Sequence, residues 1–324
     1  MKHSTKIRSF FAALATCCLA LGVLMSCGSD EPKDESPAAG SKPVIVLAID
    51  GLRADVLGSY GALAATPTLD ALAAESVRLE WAFAQAPQIQ PSLATHFSGL
   101  YPTTNGLRAP GDYMADEATT LAEVLSAAGY STAAFIEGSP SASDYGLAQG
   151  FDSYQIGPAP GEAATEWMKA RADEDFLLVF GGWSNPALEK VRALLEGSGQ
   201  PEGMSERVQQ VLASWATVAP VGFDDEALEY ARAWYSARVQ VIDSMLEGFM
   251  AEFRASGLAD KAILVVLGSN GFALQENGDL FGESLYASVT HVPVMIRFPG
   301  GANAQAVSKV TEVVDLMPTI LEAT

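Results

Sequence analysis

The sequence predicts an α/β fold in which helices cover both faces of a central, mostly parallel sheet. Four continuous apolar runs support this prediction, at residues 44–49, 176–180, 262–267 and 292–298. Short apolar runs without alternation are typical of strands that are buried on both faces, as parallel strands are. Because segments with the apolar spacing of helices separate these runs, the sequence favours three layers with the sheet in the middle.

The segments between the apolar runs predict the covering helices. Pro67 stands near a first turn, and Gly129 closes a later helical segment. Residues 230–253 carry a long apolar stripe. Gly181 and Gly182 are expected to end the apolar strand at residues 176–180. Helices are predicted over residues 66–75, 92–100, 119–128 and most of 187–256, and a further short strand over 131–136.

Charge and cysteine content exclude several kinds of function. The 324 residues carry 39 acidic and 19 basic side chains, for a net charge of −20. Nucleic acids and anionic lipids bind to positive patches, so this charge argues against both as main partners. Cys17, Cys18 and Cys27 are the three cysteines. A disulfide, a zinc thiolate site or a cysteine nucleophile is therefore excluded after residue 27.

The N-terminus has the features of an export signal. A basic start precedes an apolar stretch at residues 10–25, which is too short for a good transmembrane helix. The stretch ends in Leu-Met-Ser-Cys, which resembles the lipobox of bacterial lipoproteins. This resemblance implies cleavage before Cys27, a lipid on its thiol and a membrane partner through that anchor. An ordinary signal peptide with a coincidental cysteine is the alternative.

The boundaries of three regions follow from this N-terminus. Residues 1–26 are interpreted as a lipoprotein signal peptide, and residues 27–42 as a flexible acidic tether rich in Pro, Ser, Gly and charge. Residues 43–324 form the folded domain. The Gly-Ser pair after Cys27 resembles lipoproteins sorted to the outer membrane, so we expect the protein in the bacterial cell envelope.

A series of motifs in the folded domain resembles the sulfatases of the alkaline phosphatase superfamily. The blocks follow the family's order from the first strand to the motif VDLMPTI at 314–320. The resemblance implies an alkaline-phosphatase-like three-layer sandwich. Family members usually continue beyond this last motif, so the C-terminal subdomain is expected to be missing. The matching blocks are VIVLAIDGLRAD at 44–55, TPTLDALAAESV at 66–77, APQIQPSLATHFSGLYP at 86–102 and VPVMIRFPG at 292–300.

The nucleophile motif of the family departs from its pattern in this chain. Sulfatases carry C/S-x-P-S-R, in which the first residue becomes the nucleophile. The matching residues here are 89–93, so Ile89 stands at the nucleophile position and Leu93 at the arginine position. Ser92 is the fallback nucleophile, although a serine after Pro91 is more simply a helix cap.

The metal motifs depart from the family pattern as well. The resemblance implies a divalent cation, usually calcium, between carboxylates after the first strand and an Asp-His or Asp-Asn pair after a later one. Asp50 is kept, whereas Asn270 stands where the later Asp is expected, and residues 185–187 lack the Asp and His of a central D-P-H motif. We expect no cofactor, or at most a weakly bound calcium ion on Asp50 and Asn270.

Two functions from different classes remain open. The loss of several reactive residues together favours an inactive, sulfatase-like pseudoenzyme with a binding or regulatory role. The alternative is a metal-dependent hydrolase of sulfate or phosphate esters with an altered site, which would use Ser92 or a metal-bound water on Asp50. His96 and His291 are interpreted as structural, and Arg53 is expected to pair locally with Asp55.

Overall fold

A computed structural model describes most of the predicted domain. It covers residues 42–324 except 63–64, 110, 140–143, 159, 184–187, 196–223, 279–281 and 283. The signal peptide, the tether up to residue 41, Cys27 and the D-P-H equivalents at 185–187 lie outside the described residues. Among the described residues, no helix combines the length and the apolarity that crossing a membrane requires.

The central feature of the fold is a mixed sheet of eight strands. The strands are β1 (Val44–Ile49), β2 (Val77–Phe83), β3 (Ser131–Glu137), β4 (Ser153–Gly157), β5 (Phe176–Gly182), β6 (Ile263–Gly268), β7 (His291–Arg297) and β8 (Gln305–Glu312). Their order across the sheet is β4-β3-β5-β1-β6-β7-β2-β8. Only β7 runs antiparallel to its neighbours β6 and β2. The prediction of an α/β fold with a mostly parallel sheet is therefore confirmed.

Helices lie on both faces of this sheet. They are α1 (Pro67–Ala74), α2 (Ile89–Ser98), α3 (Pro102–Asn105), α4 (Leu121–Ala127), α5 (Gly161–Ala170), α6 (Leu188–Leu195), α7 (Asp225–Ala255), α8 (Ala287–Thr290) and α9 (Leu316–Ala323). One apolar cluster joins α1, α5, α6 and α7 to one face of the sheet, and a second cluster joins α2, α4 and α9 to the opposite face. The three-layer arrangement follows from these two clusters.

The glycine pair at 181–182 differs from its prediction, because it continues β5 instead of ending it. Both glycines pair with β1. A Cβ on Gly182 would lie 2.7 Å from the Cβ of Glu137, and one on Gly181 would lie 3.0 Å from Ile136. Glycine is needed here because β3 and β5 approach each other too closely for side chains.

The start of α2 also differs from its prediction. The helix begins at Ile89, and its N-cap residue Gln88 makes no side-chain cap bond. Ser92 is therefore not a cap. It lies in the first turn with its side chain fully buried. Its hydroxyl donates a hydrogen bond to the backbone carbonyl of Ser269, which is distant in the sequence.

Three strands have no equivalent among the predicted elements, namely β2, β4 and β8. Their residues are largely half-buried or exposed, and β8 lies at the sheet edge. A continuous apolar run marks only strands that are buried on both faces, so these strands lack that signal.

Candidate functional site

The carboxyl ends of the central strands bring Asp50 and Asn270 together, as the family resemblance implied. Asp50 follows β1, and Ser269 and Asn270 follow β6, its parallel neighbour. The Ser269 hydroxyl donates to Asp50 Oδ1 at 3.2 Å, and the Gly51 N–H donates to Asn270 Oδ1 at 3.3 Å. Asn270 Nδ2 donates to the carbonyl of Pro87 at 3.0 Å. The two side chains are thus held by local partners.

The carboxyl group of Asp50 lies in an environment that favours its neutral form. Asp50 is 6% exposed. Burial, followed by the negative charge of Glu137 at the end of β3, raises its pKa to about 7, against the opposing effects of Ser269 and Arg238. Near neutral pH this carboxyl therefore carries a proton for much of the time.

A buried arginine and tyrosine from α7 complete this edge of the sheet. The guanidinium of Arg238 donates to the backbone carbonyls of Asp50 and Gly51, and to that of Trp183 at 3.0 Å. The Tyr235 hydroxyl donates to the Gly51 carbonyl at 2.7 Å and accepts from the N–H of Arg53 at 3.1 Å. Helix α7 therefore bridges the turn after β1 to the end of β5.

Neither α7 residue was identified from the sequence. A signal for Arg238 exists, because it lies one helical turn after Trp234 and one turn before Ile242, inside the apolar stripe of α7. A charged residue within such a stripe must find buried partners. The identity of those partners, which are backbone carbonyls 55 to 188 positions away, could not be predicted from the pattern.

The described residues at this edge do not fit a calcium ion. Calcium takes six to eight oxygen ligands, usually with several carboxylates. Oδ1 of Asp50 and Oδ1 of Asn270 already accept hydrogen bonds, and Arg238 donates to the backbone carbonyls of Asp50 and Gly51. A guanidinium at this place would also repel a second cation. In the part of the chain that the structure describes, no group of three or more His, Cys, Asp or Glu residues could hold a metal.

Helix α2 places the two residues of the nucleophile motif in apolar surroundings. Ile89 is half-buried and packs against the cluster that joins α2 to the sheet. Leu93, one turn later, is 1% exposed and belongs to that cluster. Its methyl groups lie 3.7 and 3.8 Å from the site where a Cβ on Gly181 would stand. Leu93 is thus a core residue under the end of β5.

Ser92 and His96 form a contact that the sequence analysis did not predict. Their spacing of four residues on a helix is the signal that could have indicated it. Ser92 Oγ lies 3.2 Å from His96 Nε2 and donates its proton to the carbonyl of Ser269. Ser92 must therefore accept from His96, so Nε2 carries the imidazole proton.

The polarity of this pair is the reverse of that in an activated serine, where the imidazole accepts the serine proton. The exposed fraction is 0% for Ser92 and 2% for His96. Burial lowers the pKa of His96 to about 3. Its Nδ1 has no hydrogen-bond partner within the described chain. These properties describe a neutral, buried histidine that holds a serine in place.

Arg53 pairs with Asp55, as predicted, and also with a partner that the sequence did not indicate. Its guanidinium donates to both oxygens of Asp55 at 2.7 and 2.8 Å, and to Glu276 at 2.7 Å. These residues and Tyr235 line an open cleft of about 480 Å³ beside the turn after β1. The wall of the cleft therefore carries both positive and negative side chains.

His291 has structural contacts, in agreement with its interpretation. Its Nε2 lies 2.9 Å from the carbonyl of Glu80, and its ring stacks on Trp81 with 5.1 Å between centroids.

A family model and several curated proteins match this chain. The model described as "Sulfatase" matches residues 42–324. Arylsulfatase K from Bos taurus is 34% identical over 101 residues, which are 31% of this chain and 18% of that protein. An ulvan-active sulfatase from Formosa agariphila is 36% identical over 112 residues, which are 34% of this chain and 22% of that protein. The matched stretch therefore spans about a fifth of the curated relatives.

Solved structures share the fold at low sequence identity. A phosphonate monoester hydrolase of Agrobacterium radiobacter superposes with a TM-score of 0.69 and 19% identity, covering 87% of this chain and 73% of that one. A 2-O GAG sulfatase superposes with a TM-score of 0.68 and 18% identity, covering 88% and 70%. At this identity, the similarity establishes the architecture alone.

Proposed function

We propose that this chain, which belongs to the sulfatase family, no longer hydrolyses esters and serves a binding or regulatory role at the cell envelope. The first turns of α2 carry the proposal, because Ile89 begins the helix and Leu93 is buried beneath β5. An alkyl side chain has no lone pair for attack on sulfur or phosphorus. It also cannot offset negative charge on a transferring group.

The direction of the hydrogen bonds at Ser92 supports the same proposal. A serine nucleophile transfers its proton to a base as it attacks. Here the proton of Ser92 is held by the carbonyl of Ser269, and His96 donates to the serine oxygen. Because Ser92 is fully buried, a substrate could reach it only if the residues around it moved.

A second candidate is a hydrolase with an altered site, and the environment of Asp50 favours it. Its pKa of about 7 would let this carboxyl exchange a proton with water near neutral pH. Against this candidate stands the 6% exposure of Asp50, whose oxygen Oδ1 accepts from Ser269. We therefore place it second.

The envelope location in this proposal depends on Cys27 and the polar tether at 27–42. A lipid on Cys27 would hold the domain at a membrane surface, and the tether would let it reach partners nearby. The net charge of −20 favours a neutral or cationic ligand or protein partner over a polyanion.

The decisive experiment measures ester turnover together with folding. The purified protein is incubated with 4-nitrophenyl sulfate, 4-nitrophenyl phosphate, bis(4-nitrophenyl) phosphate and 4-nitrophenyl phenylphosphonate, with and without added calcium or manganese. We expect no rate above a blank prepared in the same way from cells without the gene. Ile89→Ser is expected to remain inactive, because catalytic groups that act as a unit also fail as a unit.

Two control variants distinguish the candidates. Ser92→Ala and Asp50→Ala are assayed beside the wild type, with circular dichroism as the test of folding. A wild-type rate that either substitution abolishes in a folded protein would replace the proposal by the altered-site hydrolase.

A further inference from the structure

Arg238 is an unusual cation for the interior of this fold. Its side chain leaves the middle of α7 and is 3% exposed. The guanidinium donates to the carbonyls of Asp50 and Gly51 at the end of β1 and to the carbonyl of Trp183 after β5. Two strand ends from distant parts of the chain therefore converge on one positive charge.

The backbone at this place is shaped to present oxygens to a cation. Gly51 has a φ of +61°, which turns its carbonyl toward α7. The two terminal nitrogens of Arg238 lie 3.8 and 3.9 Å from the position where a Cβ on Gly51 would stand. Carbonyl oxygens are hard donors of the kind that divalent cations also use. Here a guanidinium makes those contacts.

Two acidic side chains interact with this guanidinium. Asp50 and Glu137 both interact electrostatically with Arg238, which also donates to the backbone carbonyl of Asp50. A nearby cation relieves the repulsion between two acidic groups whenever both of them are ionised. Arginine suits this role because its planar fork holds several fixed acceptors and keeps its charge.

We propose that Arg238 is a built-in cation that occupies the coordination space of a divalent ion and makes this site independent of metal. The guanidinium connects the ends of β1 and β5 and offsets the charge of Glu137, together with that of Asp50 when its carboxyl is ionised. This inference goes beyond the proposed function, because it concerns metal and stability and not turnover. A protein without any ester turnover could still fail it.

The test combines metal content with thermal unfolding of the purified protein. Wild type, Arg238→Ala, Arg238→Lys and Arg232→Met are melted with EDTA and with millimolar calcium. Arg232 is the matched control, since it lies on the same helix and is exposed. We expect the wild-type melting temperature to move by less than about 1–2 °C in either condition, because a weak ligand adds little stability. Mass spectrometry should find less than about 0.1 metal ion per chain, the occupancy of a site far from saturation.

The variants test the role of the charge itself. Arg238→Ala should melt about 5–10 °C below wild type, as expected for a lost buried charge partner, and Arg238→Lys should fall between them. Calcium should restore part of the loss in Arg238→Ala, because Asp50, Glu137 and the freed carbonyls then face an empty space. Arg232→Met should match the wild type.

Three results would overturn the inference. The first is stoichiometric metal, or a large effect of EDTA, in the wild type, which remains measurable even if a variant fails to fold. The second is an Arg238→Ala protein as stable as the wild type. The third is a folded Arg238→Ala protein that calcium does not stabilise, because the guanidinium would then act only as a hydrogen-bond donor.

Discussion

Replacing His96 by glutamine should make the stability of this protein less sensitive to acid. Burial lowers the pKa of His96 in the folded state to about 3, from an ordinary value of about 6.5. A lowered histidine pKa means that the unfolded chain binds the proton more readily than the folded chain. The wild type should therefore lose stability as the pH falls below about 6.5, until the pH nears the folded value.

The size of this effect follows from the two pKa values. Each pH unit in this window contributes about 1.4 kcal/mol, so His96 alone should cost about 2 kcal/mol between pH 7 and pH 5. His96→Gln has no group that titrates there and keeps an amide donor for Ser92. Other groups titrate in both proteins, so their contribution cancels in the difference.

Urea unfolding followed by tryptophan fluorescence at pH 7 and pH 5 measures this difference. We expect the wild type to lose about 2 kcal/mol more than His96→Gln between the two pH values. Ser92→Ala keeps the buried imidazole and should behave as the wild type does. Equal losses in the wild type and in His96→Gln would refute the account of a neutral, buried histidine at this position.

Three further predictions concern other parts of the chain. Gly150→Ala should lower the free energy of unfolding by more than about 3 kcal/mol in urea unfolding, because the new Cβ would lie 2.2 Å from a backbone nitrogen of α4. Gly129 is the control, since it has the same left-handed backbone but open space around it, and Gly129→Ala should cost about 1–2 kcal/mol. Asp243→Asn should cost about 2–3 kcal/mol in the same assay. The two carboxylate oxygens each accept one N–H group at the start of α1, at 2.8 and 3.1 Å, and the substitution replaces one of these oxygens by an NH₂ donor that would face an N–H group. Cys27→Ser should release the protein from membranes into a soluble fraction, and unchanged membrane association on fractionation would contradict the lipid anchor.

The sequence was sufficient for the central strands and for the family. A strand that is buried on both faces has to be apolar at every position, so β1, β5, β6 and β7 are visible as local runs. The sequence was also sufficient to show which reactive side chains are absent, as at Ile89 and Leu93. An amino acid's chemistry is independent of its surroundings when it has no reactive group at all.

The partners of the buried polar groups were decided by the tertiary structure alone. The Ser92 hydroxyl donates a hydrogen bond to the carbonyl of Ser269, 177 positions away, and Arg238 donates to the carbonyl of Asp50, 188 positions away. Local patterns report which residues are buried, but strand order determines which groups meet. Half-exposed strands such as β2 and β8 escaped prediction for a related reason, since only pairing with a neighbouring strand makes them strands. The arrangement at the carboxyl end of β1 therefore became visible only when β5, β6 and α7 converged on it.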